Sequence, residues 1–347
     1  MPDLLAGLGL PGLVVVFLLS AGAVAGSGII LARSGDAIAE RTGLGGLVVG
    51  MFLLAGATSL PEIATDVSAA LADAPDLAVG DLFGSSMANM AILALVDLVY
   101  RGRVWTRVGL GQARLATVAI ALTSVALLGL LVPQPIAIGW IGIETIVIVV
   151  GYLAATAWIR RSRRTGRHEQ DGSGEVIAPI GWGSEANVGV PFRHVVARFA
   201  LAAGVVLVSA PFVALSAEGI ARETGVGQTF VGTFLLAATT SLPELVASLT
   251  AVRIGAHDLA VGNLFGSNAF NMVALLAADL SYVHGPILAA VAPAQAVAGV
   301  GAILLMALAL AAVIHGTETR IRRLEPDAVA VLLVYVLLLG AVWVSTA

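Results

Sequence analysis

TSLPEIATDVSAALADAPDLAVGDLFGSSMANMAILALVD, residues 58–97, returns at residues 240–279 as TSLPELVASLTAVRIGAHDLAVGNLFGSNAFNMVALLAAD. The two stretches align without a gap at a fixed offset of 182 positions, and 20 of the 40 pairs are identical. Weaker matches run back through Ile38-Ala39 against Ile220-Ala221 and Thr42-Gly43 against Thr224-Gly225. Each copy opens on Thr-Ser-Leu-Pro-Glu within apolar sequence and so carries one glutamate, Glu62 or Glu244. Carboxylates in hydrocarbon are costly and are kept for function. A duplication that sets the same ionisable group in both halves is the pattern of a transporter whose site lies where the repeats meet.

Composition sets the class. Of the 347 residues 59% are hydrophobic and 12% charged, and the mean hydropathy is +0.98, whereas soluble domains are typically about 45–50% apolar. The chain therefore reads as a polytopic membrane protein whose constant partner is the lipid bilayer. There is no cysteine, which excludes disulfides and thiolate metal sites. The net charge of −4 gives no reason to expect a nucleic-acid partner. Residues 4–33 lack a basic segment before their apolar run and read as a retained helix, not a cleaved signal peptide.

A spanning helix needs roughly 20 apolar residues. Ten such spans are predicted, near 9–34, 44–71, 76–99, 112–132, 137–159, 194–217, 226–252, 258–281, 288–314 and 327–346. The polar, arginine-rich stretch between the fifth and sixth divides the chain into a first half (1–160), a linker (161–192) and a second half (193–347). The predicted fold is all-α, two five-helix repeats. Because five is odd, halves joined by one loop enter the membrane from opposite sides, so the repeats are inverted. Arginines cluster after the third, fifth, seventh and ninth spans, at 101–107, 160–167, 253 and 320–323. The positive-inside rule places those loops, including the 160–192 linker, in the cytoplasm and both termini outside the cell (inner) membrane.

The pentapeptides break helices at membrane depth. Pro61 offers no N–H to Ala57 O, and Pro243 none to Thr239 O. Such backbone is tolerated only where protein or a polar cavity surrounds it. The freed carbonyls and the hydroxyls of Thr58, Ser59, Thr240 and Ser241 are hard oxygen ligands, placed next to Glu62 and Glu244. Further along each repeat, Ser85 and Asn89 are four apart, as are Ser267 and Asn271, so each pair shares a helix face. Gly80, Gly84, Gly262 and Gly266 keep the same spacing and let these helices approach their neighbours closely. The sum is an oxygen cage with two carboxylates and neither sulfur nor imidazole, suited to Ca²⁺ or Na⁺.

These motifs resemble the sodium/calcium exchangers of the cation/calcium antiporter superfamily, above all the compact ten-helix prokaryotic members. The resemblance is specific over roughly 36–97 and 218–279 and elsewhere consists of helix count and loop placement. It implies a midplane site with overlapping Na⁺ and Ca²⁺ positions built from Glu62, Glu244, Thr58, Thr240, Ser85, Ser267 and Asn89. It further implies ligating backbone carbonyls at Ala55 and Ala237. Asn271 stands where several relatives carry aspartate. Asp81 replaces the asparagine usual after the repeat's glycine, which Asn263 keeps, and Asp66 sits where a small polar residue is commoner. Asp66 and Asp81 read either as hydrogen-bonded residues of a wet cavity or as a second cation or proton position.

The expected function is secondary antiport of Na⁺ against Ca²⁺, expelling Ca²⁺ as Na⁺ enters, with no cofactor and no obligatory protein partner. If the three-for-one exchange implied by the resemblance holds, each cycle moves net charge, at about 2.3 kcal/mol per charge per 100 mV. The alternative is an H⁺-coupled antiporter of the same fold, with Asp66 or Asp81 carrying the proton. An intramembrane hydrolase using a carboxylate dyad is the reading from another class. It lacks a second catalytic element such as His-Glu-x-x-His, and the repeats predict equal roles for the two glutamates where an acid and a base need different ones. Asp97, Glu144 and Asp279, near helix ends, are expected at the membrane interface, and the five histidines are too scattered to form a metal site.

Overall fold

The computed structural model describes residues 7–100, 104, 110–132, 136–165, 190–224, 240–315 and 326–346. In chain order these form α1 (Leu10–Thr42), a bent pair α2 (Gly46–Thr58) and α3 (Leu60–Leu71), α4 (Pro75–Val99) and α5 (Leu110–Leu131). A short ribbon of β1 (Ala137–Ile138) and β2 (Ile141–Gly142) leads into α6 (Ile143–Thr165). The second half holds α7 (Phe192–Thr224), α8 (Leu242–Arg253), α9 (His257–Ser281), the short α10 (Ile287–Ala290), α11 (Ala296–His315) and α12 (Pro326–Thr346).

The duplication is deeper in the backbone than in the side chains. The helices α1 and α7, α3 and α8, and α4 and α9 begin and end at positions 182 apart at both termini. The repeat thus reaches back to Leu10 and Phe192, although over α1 and α7 the identity falls to 12 of 33 pairs. A helix persists through such drift because what it must preserve is an apolar stretch of the right length, not particular side chains.

Among the described residues seven helices are long and apolar enough to cross a bilayer, the bent pair α2–α3 makes an eighth, and α6 is apolar over the shorter run Ile143–Ile159. The expected span 226–252 is described only from residue 240 onward, and the arginine-rich segments 101–103 and 166–189, with 316–325, lie outside the described residues. The protein is a polytopic helical membrane protein. One boundary differs from expectation. The fifth span was predicted from 137, but the chain turns first at Gly139, whose φ of 68° is open to glycine at little cost. The resulting hairpin pairs Ile138 with Ile141, and the helix starts only at Ile143.

Contacts between distant loops sort the bundle into two faces. At one, Arg41 Nη1 donates to Val190 O (2.6 Å), Arg253 Nε to Tyr100 Oη (3.0 Å) and Gln112 Nε2 to Asp258. At the other, Gly142 N donates to Asp279 Oδ2 (2.8 Å), Ala292 N to Asp76 Oδ1 (2.7 Å) and Trp140 Nε1 to Leu280 O (3.2 Å), and His284 stands 3.7 Å from Asp73. Helix α4 therefore runs from the second face at Asp76 to the first at Tyr100, while its duplicate α9 runs from the first at Asp258 to the second at Asp279. The repeats are inverted, as the odd helix count requires.

Helix α9 is the centre of the bundle, packing against α2, α3, α4, α5, α6 and α8. Its spanning window is 83% buried, against 11% for α12 at the periphery. Small residues make this possible. A Cβ on Gly266 would stand 2.7 Å from Met51 Cα, and one on Gly50 would stand 2.6 Å from Leu259 O, so α2 and α9 meet backbone to backbone.

Candidate functional site

The two Thr-Ser-Leu-Pro-Glu segments adopt one backbone geometry. Ser59 (φ −87°, ψ 4°) separates α2 from α3, Ser241 (φ −81°, ψ 6°) precedes α8 in the same conformation, and Pro61 and Pro243 sit at the start of α3 and α8, where proline's missing N–H costs nothing. The axes of α2 and α3 differ by 47° across this break. Ahead of it the chain is wound as a π-helix over Gly50–Leu54, an irregularity common at functional sites. Thr58 Oγ1 turns back toward Leu54 O (3.0 Å) and Ala55 O (3.3 Å).

The breaks bring the two motifs together. Ser59 Oγ donates to Glu244 Oε1 across the halves (3.4 Å), and Thr58 Oγ1 faces Asn263 Oδ1 (3.3 Å). Ala55, Thr58, Ser59, Glu62, Asp66, Asp81, Ser85, Asn89, Thr240, Ser241, Glu244, Ser267 and Asn271 are all buried, although most are polar. Ala237 lies outside the described residues. Burial on this scale without hydrogen bonds is unfavourable, and in folded proteins nearly every such atom has a partner. Here eleven buried atoms have none among the described residues: Glu62 Oε2, Glu244 Oε2, Ser85 Oγ, Ser241 Oγ, Ser267 Oγ, Asn89 Oδ1, both amide atoms of Asn271, both oxygens of Asp66, and Asp81 Oδ2. Nearly all are oxygens, an arrangement that satisfies a bound cation better than it satisfies the protein. No three His, Asp or Glu side chains among the described residues converge as a metal cluster.

A family profile described as sodium/calcium exchanger protein matches residues 12–160 and 194–344. The chain belongs to the sodium/calcium exchanger family. This exchanger is 30% identical to inner membrane protein YrbG of Escherichia coli (strain K12) over 237 residues, 67% of this chain and 69% of that one. It is 26% identical to putative antiporter CaxA of Alkalimonas amylolytica over 307 residues, 84% and 86% of the two chains. Among solved structures, that of the sodium-calcium exchanger NCX_Mj shares its fold with a TM-score of 0.70, covering 95% of this chain and 99% of the other at 21% identity. The exchanger is a transporter, not an enzyme.

Other polar residues of the exchanger's interior were not singled out as site residues from the sequence. Asn263 Nδ2 donates to Ser248 Oγ (3.0 Å), Asn89 Nδ2 to Asn268 Oδ1 (2.9 Å) and Asn268 Nδ2 to Ser86 O (3.2 Å). The signal for Asn268 was present: an amide within an apolar helix, where a polar group needs a reason. Asp279, expected at the membrane interface, lies at the end of α9. It is wholly buried within the protein and accepts from Gly142 N (2.8 Å), Thr145 Oγ1 (2.7 Å) and Ile287 N (2.7 Å), tying the end of α9 to the β-ribbon and to the starts of α6 and α10. Its duplicate Asp97 is buried as well and accepts from Val104 N (3.2 Å), while Glu144 is only partly buried.

Proposed function

We propose that this exchanger is a secondary active antiporter that trades Na⁺ for Ca²⁺ across the cell membrane, expelling Ca²⁺ as Na⁺ enters. The observation that carries the reading is that both repeats bury unpartnered oxygens, those of Glu62 and Glu244 among them, while Ser59 of the first repeat donates to Glu244 of the second. These two carboxylates offer −2, which one Ca²⁺ neutralises. The remaining ligands are Thr58, Ser59, Thr240, Ser241, Ser85, Ser267, Asn89 and Asn271, with carbonyls at Ala55 and Ala237. Calcium takes six to eight oxygens in flexible geometry, and neutral oxygens serve Na⁺ equally. Because both ions need the same oxygens, a loaded site is what selects the switch between inward and outward access. No cofactor enters the cycle.

The halves 1–160 and 193–347 move about this shared site, joined by a cytoplasmic 161–192 linker, with both termini outside. Single cysteines placed in this cysteine-free chain and labelled with an impermeant maleimide test the orientation: labelling of the 160–192 segment from outside intact cells contradicts it.

A second reading, H⁺-coupled cation antiport, is favoured by one observation. Asp66 and Asp81 lie within hydrogen-bonding reach of each other. Two ionised carboxylates repel at such range, and a proton on either would turn the repulsion into a hydrogen bond. Uptake of radioactive Ca²⁺ into proteoliposomes under imposed Na⁺, H⁺ or K⁺ gradients separates the two. Uptake driven by outward Na⁺ gradients supports the first reading, and uptake driven only by H⁺ gradients replaces it with the second.

A further inference from the structure

Asn268 follows Ser267 in α9, and in the duplicate helix α4 its place is taken by Ser86. It is completely buried. Its Nδ2 donates to the backbone carbonyl of Ser86 (3.2 Å), and its Oδ1 accepts from Nδ2 of Asn89 (2.9 Å). A backbone carbonyl can only accept. The amide facing it must therefore present nitrogen, which turns the Asn268 oxygen toward Asn89. Asn89 must answer with its own nitrogen, and its Oδ1 is left buried and without a partner among the described residues. Two amides are oriented in series by one peptide group. The last atom of the series is an oxygen, the end a cation binds, and not an NH₂, the end it repels.

The inverted copy has no such device. Ser86 spends its hydroxyl on Leu82 O one turn back (2.9 Å), and Asn271, the duplicate of Asn89, has neither amide atom partnered among the described residues. We infer that Asn268 is a positioning residue that locks the Asn89 carbonyl oxygen toward the transported cation, leaving Asn271 the adaptable one of the two amides. Outer partners that orient a ligand in this way commonly change ion affinity tenfold or more when removed. The inference rests on Asn89 being an ion ligand.

The test compares the full chain with Asn268→Ser, which installs the residue of the first repeat, with Asn89→Ala and with the double variant. Radioactive Ca²⁺ binding to purified protein and the half-saturating Ca²⁺ for exchange are read together. Asn268→Ser is expected to raise the half-saturating concentration about tenfold with the maximal rate retained, and to add nothing once Asn89 is alanine. Asn268→Thr, which fills more of the volume, stands in where Asn268→Ser does not fold. The Ca²⁺-induced rise in melting temperature gives a second reading: it shrinks for a lost positioning residue, whereas a purely structural residue lowers only the ion-free melting temperature. If Asn89→Ala weakens Ca²⁺ binding and Asn268→Ser does not, or if their effects add, the positioning role is refuted. If Asn89→Ala itself leaves binding unchanged, the ligand assignment fails and takes the inference with it.

Discussion

Asp66 and Asp81 in the first repeat occupy the same places as Ser248 and Asn263 in the second, each pair 182 positions from its counterpart. The second pair is closed on itself, since the amide nitrogen of Asn263 donates to the Ser248 hydroxyl at 3.0 Å. The first pair has only acceptors, and three of its four oxygens lack a partner among the described residues. The backbone around them is the same, with matching helix ends and matching conformations at Ser59 and Ser241. One scaffold thus carries two electrostatic states. On the proposed function, symmetry builds the cage that includes Glu62 and Glu244, and the asymmetry of the acidic pair sets what else the site can bind.

Substitutions that erase or restore the likeness of the repeats separate these contributions. The largest effect is expected where the repeats agree. Glu62→Gln and Glu244→Gln should each abolish Ca²⁺ transport in liposomes while leaving a folded protein, because breaking a buried charge pairing costs about 3–5 kcal/mol, more than a hundredfold in ion binding. Substantial exchange by either variant would remove that glutamate from the mechanism.

A smaller effect is expected from adding charge to the second repeat. In the proposed cage Asn271→Asp would add a third carboxylate to Glu62 and Glu244, and like charges at close range oppose ionisation. Transport by this variant should gain pH dependence near neutrality or a requirement for a further monovalent ion such as K⁺, measured as flux against pH and against K⁺. If wild-type transport is already steeply inhibited by protons, Asp81→Asn abolishes that inhibition and Asn271→Asp changes nothing, the proton-sensitive group is Asp81.

Converting the first repeat to the second's chemistry is the gentler experiment. The pair of substitutions Asp66→Ser and Asp81→Asn should raise the melting temperature, since it exchanges a repelling pair for a hydrogen bond worth about 1 kcal/mol. A lower melting temperature would show that the acidic pair is stabilised by something the second repeat lacks. Loss of H⁺-driven flux in the same protein would assign the pair to proton coupling.

The smallest difference concerns packing. Gly266→Ala drives a methyl into the backbone at Met51 Cα, 2.7 Å away, whereas Gly80→Ala meets only the amide end of Gln295, at 3.0 Å. Overpacking against backbone typically costs about 1–3 kcal/mol, while a flexible side chain yields at little cost. Equal loss of thermal stability in the two variants would contradict this account of the α2–α9 contact.

Much of this was legible in the sequence because membranes constrain it so strongly. The apolar runs predicted the helices, the first pentapeptide predicted the break between α2 and α3, and the odd count predicted the inversion seen in the opposite courses of α4 and α9. The candidate site residues, which the structure buries, stood out for a similar reason, since a glutamate or a serine in hydrocarbon contrasts with leucine and alanine. What was not legible depends on who faces whom. Asn268 is one more polar residue in the helix until its contact with Ser86 O sets the direction of two amides. Asp279 reads as a helix-end acid until three donors from separate elements converge on it. The hairpin at Gly139 was hidden because isoleucine and glycine suit a helix's apolar run or a ribbon equally well, and only the positive φ at Gly139 decides.

The central claim is that two inverted repeats contribute one carboxylate each to a single shared cation site. Equilibrium binding of radioactive Ca²⁺ to the purified full chain, to Glu62→Gln and to Glu244→Gln tests it most directly. The account predicts one Ca²⁺ per chain in the wild type, displaced competitively by Na⁺, and loss of high-affinity binding in both variants alike. Two Ca²⁺ per chain, with each variant keeping one at unchanged affinity, would mean that each repeat holds its own ion and would contradict it.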